Sequence, residues 1–218
     1  MLFRSAALRA VAIDPLSPAS HITAGLIHQF RGEFKDAEES YRRAIQEDHQ
    51  DLETAELHAC VMVYLQRADE ALNVVADLTS RDRNDPMAHY QFGRMAQTAG
   101  RPKLEWTASF ERARTLLEER LRVQPADASS LALLALTQTR LGAFREAGAA
   151  LDKALAQGQG DSRVLLAAAR VYALQRDKEK AMTYLTQALD IRYDLQAIVD
   201  MDLFNLRTDE EFLRSVTR

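Results

Sequence analysis

The side chains in this sequence that could carry chemistry are a single cysteine and five histidines. The histidines are His21, His28, His49, His58 and His89. Cys60 lies two residues from His58, and Tyr64 follows on the same predicted helix. A cysteine nucleophile needs a base within hydrogen-bonding reach, a third group that orients the base, and a cleft. A Cys-His pair without these features does not predict a catalytic site.

The other patterns that serve catalysis are missing from the sequence. Glu38-Glu39 and Glu118-Glu119 are carboxylate pairs of the kind found on solvated helix faces. The chain has no glycine-rich phosphate loop, no paired metal-binding motif and no serine-centred elbow. We therefore predict no catalytic residues, no metal and no cofactor. A free-standing enzyme of unknown type is the least favoured function.

The composition predicts an all-α protein. Alanine and leucine supply 64 of the 218 residues, whereas glycine and proline together supply 13. The net charge of −4 gives no general attraction to nucleic acid or anionic membrane. The sequence has no run of eighteen apolar residues and no good signal peptide. The expected location is therefore cytoplasmic, or periplasmic if an upstream leader is missing.

Small residues recur along the chain with a period of 34. The residues spaced in this way are Gly25, Ala59 and Gly93, together with the pairs Ala37 and Ala71, Ala135 and Ala169, Ala147 and Ala181, and Ala154 and Ala188. The pattern resembles the tetratricopeptide repeat, which has small residues at positions 8 and 20 and alanine at 27. This resemblance implies a right-handed superhelical α-solenoid of antiparallel helix pairs, which stack because one pair cannot bury its apolar face alone.

The resemblance divides most of the chain into five repeats. They are residues 18–51, 52–85, 86–127, 128–161 and 162–195. Residues 1–17 match only the second helix of an upstream repeat, which indicates a fragment of a larger bacterial protein. Residues 196–218 resemble the capping tail of bacterial arrays. This resemblance implies that the last apolar face is covered by Phe204, Leu206, Phe212 and Leu213. Four of the histidines fall at packing positions of this frame, which favours a structural role for them.

The third repeat breaks the period by eight residues. Gly93 and Ala135 occupy equivalent positions but are 42 residues apart. The segment between Pro102 and Pro125 contains no helix-breaking residue. We therefore expect a long second helix from Lys103 to Val123, lengthened by about two turns.

In this family the first helix of each pair lines a concave groove. The resemblance implies a peptide-binding groove lined by Ile22, Leu26, Phe30, Tyr64, Tyr90, Arg94, Arg140, Arg163 and Arg170. This lining changes along the chain from apolar and aromatic to basic, so we expect a ligand that is apolar at one end and acidic at the other. Alternatively, Ile22, Leu26 and Phe30 would contact a missing upstream repeat. Ile22 and Leu26 also stand where chaperone-binding members carry lysine and asparagine, which excludes that class of ligand.

Two functional hypotheses follow from this resemblance. The first is a non-catalytic protein–protein interaction module that binds a peptide or a partner helix in its groove. The second is the regulatory or sensory C-terminal tail of a larger signalling protein, such as a kinase, a cyclase or a winged-helix regulator. Residues 7–18 resemble the junction that precedes such tails. The expected partner is a protein or peptide, with no nucleic acid, no membrane insertion, and self-association through the truncated N-terminal edge.

Overall fold

The computed structural model describes residues 17–47, 52–192 and 199–206. These residues form ten α-helices and one 3-10 helix and contain no strand, which confirms the all-α prediction. The helices are α1 (Pro18–Phe30), α2 (Phe34–Glu47), α3 (Leu52–Tyr64), α4 (Ala68–Arg81), α5 (Pro86–Thr98), α6 (Lys103–Val123), α7 (Ala128–Leu141), α8 (Phe144–Gln157), α9 (Ser162–Leu174), α10 (Lys178–Ile191) and the 3-10 helix η1 (Met201–Leu206). We call the odd-numbered α-helices the first helices and the even-numbered ones the second helices, because each predicted repeat contains one odd-numbered helix followed by one even-numbered helix.

The described residues fall into two compact units. Unit 1 contains those up to Arg83 together with Arg94–Pro102, and unit 2 contains Asn84–Gly93 and those from Lys103 onward. The boundary therefore runs through α5 rather than between two predicted repeats. Within unit 1, each helix from α1 to α4 packs on the next one. Within unit 2, the same holds from α6 to α10, and the first helices α7 and α9 also pack on each other.

The helix bounds explain how the third repeat gains eight residues. Four of the second helices have 14 residues, and α6 has 21. The turn before α6 has four residues, one more than the turn before α2. One extra residue in the turn and seven in the helix thus make up the insertion. The predicted bounds of α6, Lys103 and Val123, are confirmed, and seven residues are close to two complete helical turns.

The turn inside each helix pair contains one residue with left-handed backbone. The residues with this backbone are Gly32, Gly100 and Gly142, with φ of 76°, 70° and 81°, and Gln66 and Arg176, with φ of 62° and 64°. Each occupies the same repeat position, and the next residue donates its N–H to a carbonyl five residues back, as in Glu33 to His28. This hydrogen bond closes the first helix in the manner of a Schellman motif.

An aromatic ring from the second helix fills the space that a glycine leaves on the first. In unit 1, a Cβ on Gly25 would lie 2.5 Å from Tyr41 Cε1. In unit 2, a Cβ on Gly93 would lie 2.8 Å from Phe110 Cε1. Both rings are fully buried. The small residue at repeat position 8 therefore leaves space for an aromatic ring and also lets the two helix backbones approach each other.

Several sequence-based predictions fall outside the described residues. These are the half-repeat at 1–17, apart from its last residue, as well as His49 and the tail residues Phe212 and Leu213. The side chain of Phe204 is also outside them. Among the helices that the structure does describe, none is long and apolar enough to cross a membrane.

Candidate binding surface

Side chains from three successive first helices meet at one point in unit 2. Tyr90 lies on α5, Arg140 on α7 and Arg170 on α9. Arg170 Nη2 donates a hydrogen bond to Tyr90 Oη at 3.4 Å, and its Cζ lies 5.8 Å from the centre of the Tyr90 ring. We call Tyr90, Arg140 and Arg170 the arginine site. All three residues belong to the groove lining expected from the sequence.

A carboxylate from η1 occupies the arginine site. Arg140 Nη2 donates to Asp202 Oδ1. Arg170 donates to Asp202 Oδ2 through Nε at 3.2 Å and Nη2 at 3.1 Å, and Tyr90 Oη donates to the same oxygen at 3.4 Å. A second carboxylate, that of Asp200, lies 3.4 Å from Arg170 Nε and accepts the backbone N–H of Asp202 at 2.8 Å. The site thus binds two acids that are separated by one residue.

The charges at this site are buried and balanced. The exposed fractions of the Arg140, Arg170 and Asp202 side chains are 12%, 15% and 3%. Burial alone would lower the pKa of Arg170, but the negative charges of Asp200 and Asp202 hold that pKa above its ordinary value. Burial would likewise lower the pKa of Arg140, but the negative charge of Asp202 holds that pKa above its ordinary value. Both guanidinium groups therefore stay charged inside the protein, where a charge without a partner is costly.

Tyr90 completes the site as a neutral donor. Burial raises the pKa of its hydroxyl, and the nearby charge of Asp202 acts in the same direction. The hydroxyl therefore keeps its proton and can donate it to a carboxylate oxygen. A tyrosine and two arginines together offer a carboxylate hydrogen bonds on both of its oxygens.

Apolar contacts hold η1 beside the arginine site. Leu203 and Leu206 are 0% and 2% exposed and belong to an apolar cluster with Ala169 and Leu185, from α9 and α10. The segment that supplies the acids is therefore anchored on the last helix pair. The residues of this segment that make ionic contacts are next to those that make apolar contacts.

Arg163 is not part of the arginine site. It lies in the first turn of α9, where its side chain is 76% exposed and pairs with Asp161 at 2.9 Å. Asp161 is the N-cap of that helix and accepts the backbone N–H of Arg163. Arg163 precedes Arg170 by seven residues, or roughly 10 Å along the helix axis. Its role in a groove stays a prediction.

Four residues of the predicted apolar and aromatic lining lie in unit 1 and are only partly accessible. Leu26 is buried, Ile22 is half-buried, and Phe30 is 42% exposed at the end of α1. The ring of Tyr64 stacks on that of Phe34, with the centroids 4.6 Å apart. Ile22, Phe30 and Tyr64 therefore keep some surface that a ligand could cover, and Leu26 has almost none.

Arg94, the remaining residue of the predicted lining, is buried in an ion pair in unit 1. Its Nη2 donates to Glu56 Oε1 and lies 3.9 Å from Cys60 Sγ. Arg94 and Cys60 occupy the same repeat position on α5 and α3, which explains why they meet. A ligand acid at Arg94 would have to displace Glu56.

The geometry around His58 gives no support for a cysteine nucleophile. His58 Nε2 lies 3.9 Å from Glu38 Oε1, and Glu38 also forms an ion pair with Arg67. Burial lowers the pKa of His58, whereas the negative charge of Glu38 acts to raise it. His58 thus faces a carboxylate of α2, in the packed interface between α2 and α3. This position agrees with the structural role that the repeat frame predicts for the histidines.

One group of described side chains has the composition of a metal site. Ligand atoms of His28, Glu33 and Asp36 lie within 4.8 Å of one another at the turn between α1 and α2. All three residues are half-buried or exposed, and His28 Nδ1 is 2.6 Å from Glu33 Oε2. The hydrogen bond joins His28 to Glu33, and exposed acidic groups such as Asp36 are common without a metal, so we assign no metal to this group.

The sequence predicts the arginines of the site but not their partner. The repeat frame puts Asp200 and Asp202 in a capping tail and places no residue of that tail beside Arg140 or Arg170. The available signal was the D-x-D pattern at the start of the tail. The sequence contains a second pattern of this kind, an aspartate directly before a first helix. Asp85 and Asp127 stand at such positions and accept backbone N–H groups of the helices that follow them.

The fold and the recurring helix pair define a helical-repeat protein. Residues 162–194, which span α9 and α10, match the family model described as tetratricopeptide repeat. This helix pair therefore matches the family that the sequence resembles. No curated protein matches the chain at a significant level of sequence similarity. The assignment of the other four helix pairs as separate repeats stays a prediction.

Solved structures to which this chain is similar include two TPR proteins and a pilus biogenesis factor. TTC0263, a thermophilic TPR protein of Thermus thermophilus, is 20% identical, with a TM-score of 0.52 over 93% of this chain and 100% of that one. PilW, a type IV pilus biogenesis factor, is 19% identical, with a TM-score of 0.46 over 97% and 90% of the two chains. YrrB, a TPR protein with an unusual peptide-binding site, is 18% identical, with a TM-score of 0.40 over 89% and 96%. The likeness to TTC0263 establishes the fold.

Proposed function

We propose that this protein is a non-catalytic protein-interaction module that binds an acidic segment of a partner protein at the arginine site. The observation that carries the proposal is the set of hydrogen bonds from Tyr90, Arg140 and Arg170 to Asp202. These donors come from three different helices, yet they converge on one carboxylate of a segment outside the helix pairs. A surface that binds a carboxylate of its own chain in this way has the chemistry to bind one from a partner.

The proposed ligand is an acidic peptide, and the arginines set its orientation. A guanidinium group pairs with a carboxylate through parallel hydrogen bonds, which fix direction as well as adding energy. Such a peptide must become ordered on binding, so we expect an affinity on the order of micromolar. Ile22, Phe30 and Tyr64 of unit 1, which keep some exposed surface, are proposed as a separate apolar contact surface.

The alternative, a regulatory tail of a larger signalling protein, uses the same surface. In that case the acidic segment would belong to another domain of the signalling protein. The arginine site supports either assignment, because its chemistry suits an acidic ligand whichever protein carries that ligand.

The proposal is tested by selecting peptides from a displayed random library on the full chain. The recovered peptides are expected to contain aspartate or glutamate. One of them is then measured by fluorescence anisotropy against the Asp202→Asn variant and against the triple variant Arg140→Met, Arg170→Met, Asp202→Asn. The triple variant removes the arginines together with their buried partner, because a pair replaced as a whole is tolerated better than one charge left alone.

We expect the triple variant to lose binding by about tenfold or more, which corresponds to the loss of one charge-assisted hydrogen-bonded pair. Its melting temperature should stay close to that of the Asp202→Asn variant. Recovered peptides without acidic residues, or equal binding by the two variants, would overturn the proposal.

A further inference from the structure

The segment that occupies the arginine site has the features of a peptide ligand. Its described part, residues 199–206, lies outside the helix pairs and carries two acids followed by two buried leucines: Asp200, Asp202, Leu203 and Leu206. The acids contact the arginine site, and the leucines pack on α9 and α10. One stretch of seven residues therefore combines a charged and an apolar recognition element.

The spacing of the two acids follows from the geometry of Arg170. Asp200 and Asp202 both contact this guanidinium, with Asp200 Oδ2 at 3.4 Å from Nε and Asp202 Oδ2 at 3.1 Å from Nη2. The hydrogen bond from the Asp202 backbone N–H to Asp200 Oδ1, at 2.8 Å, brings the two side chains to the same side. An acid at only one of these positions would leave one of these contacts unmade.

A partner carboxylate can bind at the arginine site only by displacing the carboxylate that is already bound there. Arg140, Arg170 and Asp202 are buried and bound to one another, so an incoming carboxylate must take the place of Asp202. Exchange of one carboxylate for another keeps both arginines paired at the end of the process, which avoids the cost of an isolated buried charge.

We propose that the arginine site recognises partner segments with the pattern Asp-x-Asp-Leu-x-x-Leu, and that residues 199–206 of this chain are an internal competitor for them. This inference rests on the function proposed above and adds the sequence pattern of the ligand and the regulation of the site. The pattern is that of residues 200–206, with x for the positions of Met201, Phe204 and Asn205. The affinity for a partner is then reduced by the fraction of molecules in which η1 is docked.

The test uses a fluorescein-labelled synthetic peptide with the sequence of residues 199–206, Val-Asp-Met-Asp-Leu-Phe-Asn-Leu, and full-length proteins. The Asp202→Asn variant weakens the internal segment but keeps both arginines and the shape of the side chain. It should bind the peptide about tenfold or more tightly than the unaltered chain, because a larger fraction of the sites is open. The matched control is Asp190→Asn, an exposed acid on α10, which should bind the peptide like the unaltered chain.

A second peptide, with both aspartates changed to asparagine, measures the charged part of recognition. It should not bind to any of the proteins. Equal binding of the acidic peptide by the unaltered chain and by Asp202→Asn would overturn the internal competitor, although the proposed function would stand. Failure of the acidic peptide to bind either protein, while selected acidic peptides of other sequences do bind, would overturn the pattern. Failure of every acidic peptide would overturn the proposed function itself.

Hydrogen exchange on the unaltered chain gives a readout that does not depend on the variant being folded. A saturating amount of the acidic peptide should increase backbone exchange in residues 199–206, because the internal segment is released. A segment that serves only as a structural cap would keep its protection when peptide is bound, and that result would overturn the inference.

Discussion

At the scale of single residues, the balance between burial and charge determines how His58 responds to pH. This histidine is buried at the interface of α2 and α3, where Glu38 faces it and Arg67, Arg42 and Glu70 contribute to its surroundings. Burial is the largest influence, so the pKa of His58 in the folded protein lies below its ordinary value. The neutral form is thus the one that the fold accommodates.

The pKa of His58 predicts a loss of stability in mild acid. In the unfolded chain the histidine takes up a proton near pH 6.5, whereas in the folded chain it does so only at lower pH. As the pH falls below about 6.5, the unfolded state binds more protons and the free energy of unfolding decreases. His58→Gln should reduce this decrease, measured by urea unfolding between pH 7.5 and 5. Identical pH profiles for the two proteins would contradict the prediction.

The residue scale also shows how far sequence reasoning could reach into the candidate site. Arg140 and Arg170 were predictable because the repeat frame assigns their positions to the first helices. Their partner was not, since Asp202 is 62 and 32 residues away from them and lies outside every repeat. A period of 34 residues relates equivalent positions, and it carries no information on where a non-repeating segment docks.

At the scale of helices, the small residues of the second helices permit close packing. Ala37 on α2 and Ala147 on α8 are 0% exposed, so extra methylene groups at either position would have no space. Ala37→Leu and Ala147→Leu should each destabilise the fold by roughly 1–3 kcal/mol, measured by chemical denaturation. Ala149→Leu is the matched control, because Ala149 lies on α8 but is exposed. A cost for the control equal to that of Ala147→Leu would contradict the predicted packing.

The turns within the helix pairs predict two stabilising substitutions. Gln66 and Arg176 adopt the left-handed backbone that glycine adopts at the equivalent turns. This conformation costs a non-glycine residue about 1–2 kcal/mol. Glycine avoids that cost, but it offsets part of the benefit because it has more conformational freedom in the unfolded chain. Gln66→Gly and Arg176→Gly should therefore each raise the free energy of unfolding by up to about 1 kcal/mol.

The converse substitution serves as a check on the turn geometry. A Cβ at Gly142 would meet no atom within 4 Å, so Gly142→Ala tests the backbone conformation without adding a steric clash. It should lower the free energy of unfolding by about 1 kcal/mol. Thermal melts in which Gln66→Gly, Arg176→Gly and Gly142→Ala all shift the melting temperature in the same direction would contradict the left-handed geometry of these turns.

At the scale of the molecule, the regular part of the fold was accessible from the sequence because the signals are local and repeated. The bounds of α6 could be predicted from the prolines on either side of it, Pro102 and Pro125, and from the absence of breakers between them. The left-handed turns at Gln66 and Arg176 have no such local signal. They are determined by the repeat register, which requires the same turn in each pair whatever residue stands there.

The central claim is that Arg140 and Arg170 bind acidic segments, and the most direct measurement observes their guanidinium groups. The Nε–H resonances of the arginines would be recorded by NMR on the full-length Asp202→Asn chain during a titration with the synthetic peptide of residues 199–206. Assignments come from Arg140→Lys and Arg170→Lys variants. The resonances of Arg140 and Arg170 should move in parallel with the fraction of peptide bound, while that of Arg163, which pairs with Asp161 in the first turn of α9, should not. Binding that leaves Arg140 and Arg170 unmoved would contradict the account.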